Sequence, residues 1–253
     1  MSGTLQNRDD HAETSSPIDL SVETFWLTTA ASYETSPQMP AVKYLLQSGA
    51  RVPGVTTINK MGQNTEPLIA WANKLGLEGI NYRDARDDAA KAGEIGHLLV
   101  EAAIKGRELK DDDFPTPGAR DLGLKAYAAY CKWDEATNIK WTDAELSLVS
   151  EQYKFGGTID GVGIPNGSNA YVLGDWKTGA LYQDHLYQIA AYWKLFEECT
   201  GHAVIGAHLC RFNKLTGDFV HAYYDNLEQE WQTFLVKRDL YARLAEDKKL
   251  RRI

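Results

Sequence analysis

The sequence predicts an α/β protein in which helices pack on a mixed β-sheet, and three observations predict it. Its front half is rich in helix formers. Its middle holds three short apolar runs separated by turn residues. Its last part alternates a helical segment, two more such runs and a long terminal helix. In chain order, Val52–Ile58 reads as a turn leading into a short segment that starts the folded body. Thr65 is a candidate N-cap, with Pro67 in the first turn, for a helix reaching about Leu75. Arg83 to about Lys105 is helical and stops before Gly106. Glu108–Gly118, with its Asp111-Asp112-Asp113 run and two prolines, is a loop, and residues 119–136 form a third helix carrying Leu122, Tyr127, Tyr130 and Trp133. Strands are expected at Ala144–Ser150, Phe155–Ile164 and Ala170–Lys177, the last two separated by Pro165–Asn169. A helix over Gln183–Thr200, strands at Val204–Phe212 and Phe219–Tyr224, and a final helix from about Leu227 to Leu250 complete the chain.

Residues 1–18, polar and rich in Ser, Thr and Asp, are expected to be a disordered leader. Residues 19–253 are expected to be a single domain, with a helical part at about 52–136 and an α/β core at about 144–253. The 253 residues are 43% hydrophobic and 25% charged, the balance of ordinary globular material. No apolar run approaches the roughly 18 residues that cross a bilayer, which argues against a membrane partner. Met1–Ser16 has no apolar signal core, so the expected location is the cytoplasm. Cys131, Cys199 and Cys210 are widely spaced with no CxxC, which argues for reduced thiols and against zinc. The net charge of −8 argues against a protein that coats nucleic acid non-specifically. Part of it is local: Asp9, Asp10, Glu13 and Asp19 against Arg8 give residues 1–20 a net of −3.

The chemistry concentrates in two runs, Gly156-Gly157-Thr158-Ile159-Asp160 and Leu173-Gly174-Asp175-Trp176-Lys177. Side chains alternate across a strand, so Asp175 and Lys177 share one face while Trp176 takes the other. Two aspartates and a lysine on adjacent strands suit a hard divalent cation beside a phosphate. Each part has a plain structural reading as well. Asp160 could end a strand, and Asp175 with Lys177 could be a solvated ion pair of little energetic value. Tyr171, Leu173 and Trp176 count against the second reading, because they mark a buried strand on which unpaired charge is costly. A bound cation offsets that cost. Gly93, His97 and Glu101 share a helix face at i,i+4 steps. The helical glycines Gly93 and Gly96 suggest close approach of another backbone or of substrate. Gln188 and Tyr192 stand one turn apart on the helix that follows the Asp-x-Lys strand.

In this order the four elements resemble the PD-(D/E)XK nuclease superfamily, specifically its RecB-like, phage-type exonuclease branch. The matches are Gly-x-x-x-His at Gly93/His97, Gly-x-Ile-Asp at Gly157/Asp160, Asp-x-Lys at Asp175/Lys177 and Gln-x-x-x-Tyr at Gln188/Tyr192. They span about residues 52–200. The resemblance implies a restriction-endonuclease-like core and a metal-dependent DNA exonuclease. Asp160, Asp175, the main-chain carbonyl of Trp176 and His97 would ligate Mg2+ or Mn2+. Lys177 would orient or help deprotonate the attacking water and offset charge on the phosphorane. Gln188 and Tyr192 would support the site or touch the DNA backbone. Glu145 resembles an acidic position of some members, and Glu101 is a further candidate. Members that carry an iron–sulfur cluster hold it with four cysteines that this chain lacks, so no cluster is expected.

DNA is the implied partner, with a single-strand-annealing or other recombination protein as a second. The implied setting is phage-type recombination, repair or genome processing, in which case the cytoplasm is that of a bacterial host. The alternative is a catalytically inactive relative that binds DNA or a recombination partner. A nucleotide phosphohydrolase is disfavoured by the lack of a glycine-rich phosphate cradle. Lys91, Lys154, Lys194, Arg211 and Lys214 are candidate phosphate contacts, and Lys248, Lys249, Arg251 and Arg252 form a basic tail.

Overall fold

The computed structural model describes residues 42–110, 113–114 and 117–250; the expected leader at 1–18, along with Arg251 and Arg252, lies outside them. Its centre is a five-stranded mixed sheet built from β3 (Ile139–Ser150), β4 (Phe155–Pro165), β5 (Tyr171–Lys177), β6 (Val204–Phe212) and β7 (Phe219–Tyr224), in that spatial order. Neighbouring strands run antiparallel except β5 and β6, which are parallel. A parallel pair needs a crossover, and α5 (Gln183–Thr200) supplies it.

Before the sheet come a small hairpin, β1 (Tyr44–Leu45) with β2 (Arg51–Val52), and four helices: α1 (Val55–Asn59), α2 (Glu66–Leu77), α3 (Tyr82–Lys105) and α4 (Pro117–Thr137). α6 (Glu228–Leu250) closes the chain. This is the α/β architecture expected from the sequence.

Two apolar clusters hold the layers together. On one side of the sheet, Phe155, Ile159, Leu173 and Ala207 meet Val55 and Ile58 of α1, Ile189, Leu195 and Phe196 of α5, and Trp231 and Phe234 of α6. On the other, Trp176, Cys210 and Phe212 meet Val100 of α3 and Ala126, Ala129, Tyr130 and Trp133 of α4. The second cluster is aromatic: Trp176 lies 5.2 Å from Trp133, 5.1 Å from Trp141 and 5.7 Å from Tyr130, each pair edge to face. Rings in this geometry gain energy beyond area burial, which anchors the strand that carries Asp175 and Lys177.

The helices start and stop for local reasons. Asn81 caps α3 by accepting the Arg83 N–H at 3.0 Å, and Gly106 ends it in the left-handed conformation. Asn138, at φ 55°, follows the last residue of α4 and turns the chain into β3. That turn lets β3 begin at Ile139 rather than Ala144, because the polar–apolar alternation of Ile139–Thr142 extends the pairing with β4. Thr65 precedes α2 as expected but makes no side-chain cap; Asn64 Oδ1 accepts the Glu66 N–H at 3.0 Å instead. The segment after Val52 winds into α1, and the β1–β2 hairpin has no counterpart in the sequence reading.

The Trp176 ring leaves no space for side chains at its neighbours. A Cβ on Gly174 would fall 2.0 Å from Trp176 Cη2, and one on Gly161 would fall 2.7 Å from Cζ2. Gly174→Ala is therefore expected to cost about 1–3 kcal/mol through overpacking. A fall in the thermal midpoint checks this, and an unchanged midpoint would mean that the indole is free to move aside.

Candidate active site

The ladder between β4 and β5 is short. It pairs Gly161 with Gly174, Val162 with Leu173 and Gly163 with Val172, and goes no further. The next residues in that register are Asp160 and Asp175, so the two aspartates stand where the strands part. Trp176, without a cross-strand carbonyl from β4, donates its main-chain N–H to Asp160 Oδ2 at 2.7 Å. A charged acceptor makes this a strong bond, and it fixes the Asp160 carboxylate in place.

Asp160 is 7% exposed and Asp175 is fully buried. Lys177 Nζ lies 2.6 Å from Asp175 Oδ2 and 3.8 Å from Asp160 Oδ2. The shorter contact pairs Lys177 with Asp175 Oδ2, and Asp175 Oδ1 is buried without a hydrogen-bond partner. Burial pushes the Asp175 carboxyl above the usual carboxylate range, against the pull of Lys177. For Lys177, burial lowers the ammonium pKa, but Asp175 and Asp160 outweigh it and hold the group above its ordinary value. Trp176 points the other way, into the aromatic cluster.

Two further side chains complete the group. His97 comes from α3, where Gly93 and Gly96 let the helix approach the segment after β5. A Cβ on Gly93 would meet Thr178 Oγ1 at 3.1 Å, and one on Gly96 would meet Thr178 Cγ2 at 3.4 Å. His97 Nδ1 lies 3.2 Å from Glu145 Oε1 and 3.9 Å from Asp160 Oδ2. Burial depresses the imidazole pKa, yet Asp160 and the Glu145 hydrogen bond override it and lift the value to about 9.

Glu145 sits opposite Asp160 in the β3–β4 register, between the Ala144↔Gly161 and Leu146↔Ile159 pairs. Its φ is +50°, and left-handed backbone at a non-glycine residue costs on the order of 1–3 kcal/mol. A register shift between Trp141 and Asp143 lies just before it. Such irregularities next to a site re-aim a side chain, here toward His97.

Among the described residues, the ligand atoms of His97, Glu145 and Asp160 all lie within 4.8 Å of one another. Two carboxylates with one imidazole make a donor set that suits Mg2+ or Mn2+. Asp175 is not in this group and is joined to it through Lys177, whose Nζ reaches both aspartates. Trp176 meets the site through its main-chain N–H. Glu101 lies outside the group; it pairs with Lys105 at 3.1 Å and approaches Arg107 at 4.0 Å. Gln188 Nε2 donates to Tyr192 Oη at 2.9 Å. A Cβ on Gly157 would lie 2.6 Å from Tyr192 Cε1, so this glycine makes room for the ring. Burial raises the Tyr192 phenol well above its ordinary pKa, and Asp160 and Asp175 add to the effect.

Other residues around the site carry no signal in the sequence. The Tyr44 hydroxyl lies 2.9 Å from Thr158 Oγ1, with its ring over Gly156. Lys237 of α6 donates to the Asn59 carbonyl at 3.0 Å and to Asp184 Oδ1 at 2.9 Å, tying α1 and the start of α5 together. His185 Nδ1 accepts the Tyr182 N–H at 3.1 Å, which leaves Nε2 to carry the proton of the neutral ring. Burial and then Lys177 hold its pKa low. The Tyr44 and Lys237 contacts depend on partners far along the chain, which a residue's type does not announce.

Comparison with known proteins finds no matching family model and no matching curated protein. Solved structures give weak likenesses. A structure described as a putative exonuclease from Eubacterium rectale is 10% identical, with a TM-score of 0.42 over 62% of this chain and 68% of that one. The alkaline exonuclease LHK-Exo from Laribacter hongkongensis is 14% identical, with a TM-score of 0.31 over 62% of this chain and 84% of its own. A structure described as SSO0001 is 16% identical, with a TM-score of 0.32 over 62% of this chain and 71% of that one.

Lys177→Met should destabilise the protein by about 3–5 kcal/mol, because it strands the buried Asp175 carboxylate. Asp175→Asn with Lys177→Met should recover most of that loss, since neither charge remains. Urea denaturation of the two variants checks this, and equal losses would deny the coupling. The raised His97 pKa fixes a pH dependence. In the metal-free protein the imidazolium stabilises the fold fully below about 6.5, and that contribution is lost as pH rises through about 9. A ligating imidazole must be neutral, so Mn2+ affinity measured by calorimetry should strengthen from pH 6.5 toward 9, by up to about tenfold per unit. An affinity flat with pH would separate His97 from the metal.

Proposed function

We propose that this chain is a divalent-metal-dependent deoxyribonuclease that hydrolyses phosphodiester bonds, acting as an exonuclease on DNA ends. One observation carries the reading: at the parting of β4 and β5, Lys177 bridges Asp175 and Asp160, and Asp160 shares a cation-sized cluster with His97 and Glu145. Asp175 Oδ1, buried without a hydrogen-bond partner, is an acceptor that a structural ion pair does not explain. The sequence motifs add the narrower parts of the proposal: Mg2+ or Mn2+ as the ion, and phage-type recombination, repair or genome processing as the setting.

His97, Glu145, Asp160 and Asp175 would hold the ion, together with the main-chain carbonyl of Trp176. The bound ion supplies Lewis acidity toward the phosphate and lowers the pKa of a coordinated water. The chain's own groups do the rest. Lys177, kept protonated by Asp175 and Asp160, acts as a donor rather than a base. It orients the attacking water and offsets charge that grows on the phosphate oxygens. Asp160 is locked by the Trp176 N–H and so presents its carboxylate in one orientation. Glu145 holds the imidazole of His97 through Nδ1, the ring nitrogen that also faces Asp160. Gln188 and Tyr192 brace the floor beneath both aspartates.

The test is incubation with end-labelled and circular DNA, single- and double-stranded, with manganese, magnesium or chelator. Linear DNA should be degraded from its ends only with metal, and circular DNA should survive. Asp160→Asn should abolish the degradation. Cleavage in chelator, or an Asp160→Asn protein as active as the parent, would end the proposal.

A further inference from the structure

The structure separates the basic side chains that stood as candidate phosphate contacts. Lys91 lies 3.9 Å from Asp88, Lys154 lies 3.5 Å from Glu151, and Lys194 lies 3.2 Å from Glu228. Lys214 donates to the Ala89 carbonyl at 2.7 Å. Arg211 differs from all of them. It makes no ion pair among the described residues, and its Nε is buried without a hydrogen-bond partner.

Its position is well determined by the sheet. Cys210 and Phe212, on either side, are buried in the aromatic cluster. Arg211 therefore leaves β6 on the opposite face, which is the face of Asp175 and Lys177. The parallel register places it beside Lys177, just as it places Leu209 beside Asp175. Neighbouring strands are about 4.8 Å apart, so the two cationic side chains start out side by side. On its other flank the register partner is Val220, which offers no acceptor. Lys177 is matched by Asp175, and Arg211 has no acidic partner among the described residues.

A guanidinium carries five donors and stays charged at any physiological pH. Holding one half-buried beside a second cation, with a donor unbonded, works against folding. Such an arrangement makes sense where a ligand brings the acceptor. That ligand must be an anion, and the planar fork of an arginine fits the paired oxygens of a phosphate. We propose that Arg211 binds a phosphodiester of the substrate strand next to the one being cut, positioning the strand over Lys177 and the carboxylates. This rests on the nuclease reading above and adds a substrate contact to it.

Arg211→Met and Arg211→Lys test it, with the parent protein degrading a short DNA duplex in manganese at a series of salt concentrations. In Arg211→Met the KM should rise several-fold, and the slope of log KM against log salt should shrink by about 0.9, the loss of one phosphate contact. Arg211→Lys should keep the slope of the parent. The thermal midpoint of Arg211→Met should equal or exceed that of the parent, because methionine keeps the buried stem and removes a buried unpartnered donor. An unchanged slope in Arg211→Met, or a lowered midpoint showing that the guanidinium holds the fold, would overturn this inference and leave the nuclease reading standing. A parent protein that degrades no DNA in any metal would overturn the nuclease reading itself, and this contact with it.

Discussion

The structure turns on the parting of β4 and β5 immediately after the Gly161–Gly174 pair. A regular ladder would carry Asp160 and Asp175 as neighbours in a closed sheet, with no space between them. Because the pairing stops there, the freed Trp176 N–H turns to Asp160 in place of a carbonyl and fixes its carboxylate beside Lys177. The surrounding charges follow from that arrangement. Lys177 is drawn to both aspartates, and the imidazole of His97 takes up a proton between Asp160 and Glu145. Without a metal, these two cations stand among the carboxylates that a divalent ion would neutralise.

The aromatic cluster behind the sheet makes the parted strand ends rigid. Trp176 is clamped by Trp133, Trp141 and Tyr130, so the residues on either side of it have little freedom. Gly161 and Gly174 are tolerated for the same reason, since any side chain there would strike the indole. On the opposite face, Tyr192 fills the room left by Gly157, and Lys237 joins α1 to the start of α5. Site and core are thus two faces of one strand. Geometry held in this way is what an electrostatic catalyst needs, because the groups do not have to reorganise as charge develops.

Much of this was legible in the sequence. Alternation along Asp175-Trp176-Lys177 was enough to assign faces, because period-two geometry leaves no choice once the strand is recognised. The bounds of α5, β6 and β7 followed from apolar patterning punctuated by Gly201 and the Asn213–Asp218 turn. The glycines around His97 signalled the close approach of a backbone or of substrate; what approaches them is the Thr178 side chain.

The illegible parts were those set by tertiary context. Glu145 owes its orientation to a left-handed φ that nothing about a glutamate in a strand suggests. The β1–β2 hairpin is too short to leave a pattern, and Tyr44 finds Thr158 across a separation of 114 residues. Likewise, a sequence shows that Arg211 is basic but not that it lacks a partner.

The central claim is that the carboxylates at the strand parting form one divalent-cation site. Electron paramagnetic resonance of free Mn2+, titrated into the parent protein and into an Asp175→Asn variant, tests it most directly. The account predicts saturable binding of a single ion to the parent and an affinity at least about tenfold weaker in the variant, as expected when a group that orients or donates to a metal is lost. Equal binding by the two proteins, or none by the parent, would contradict it.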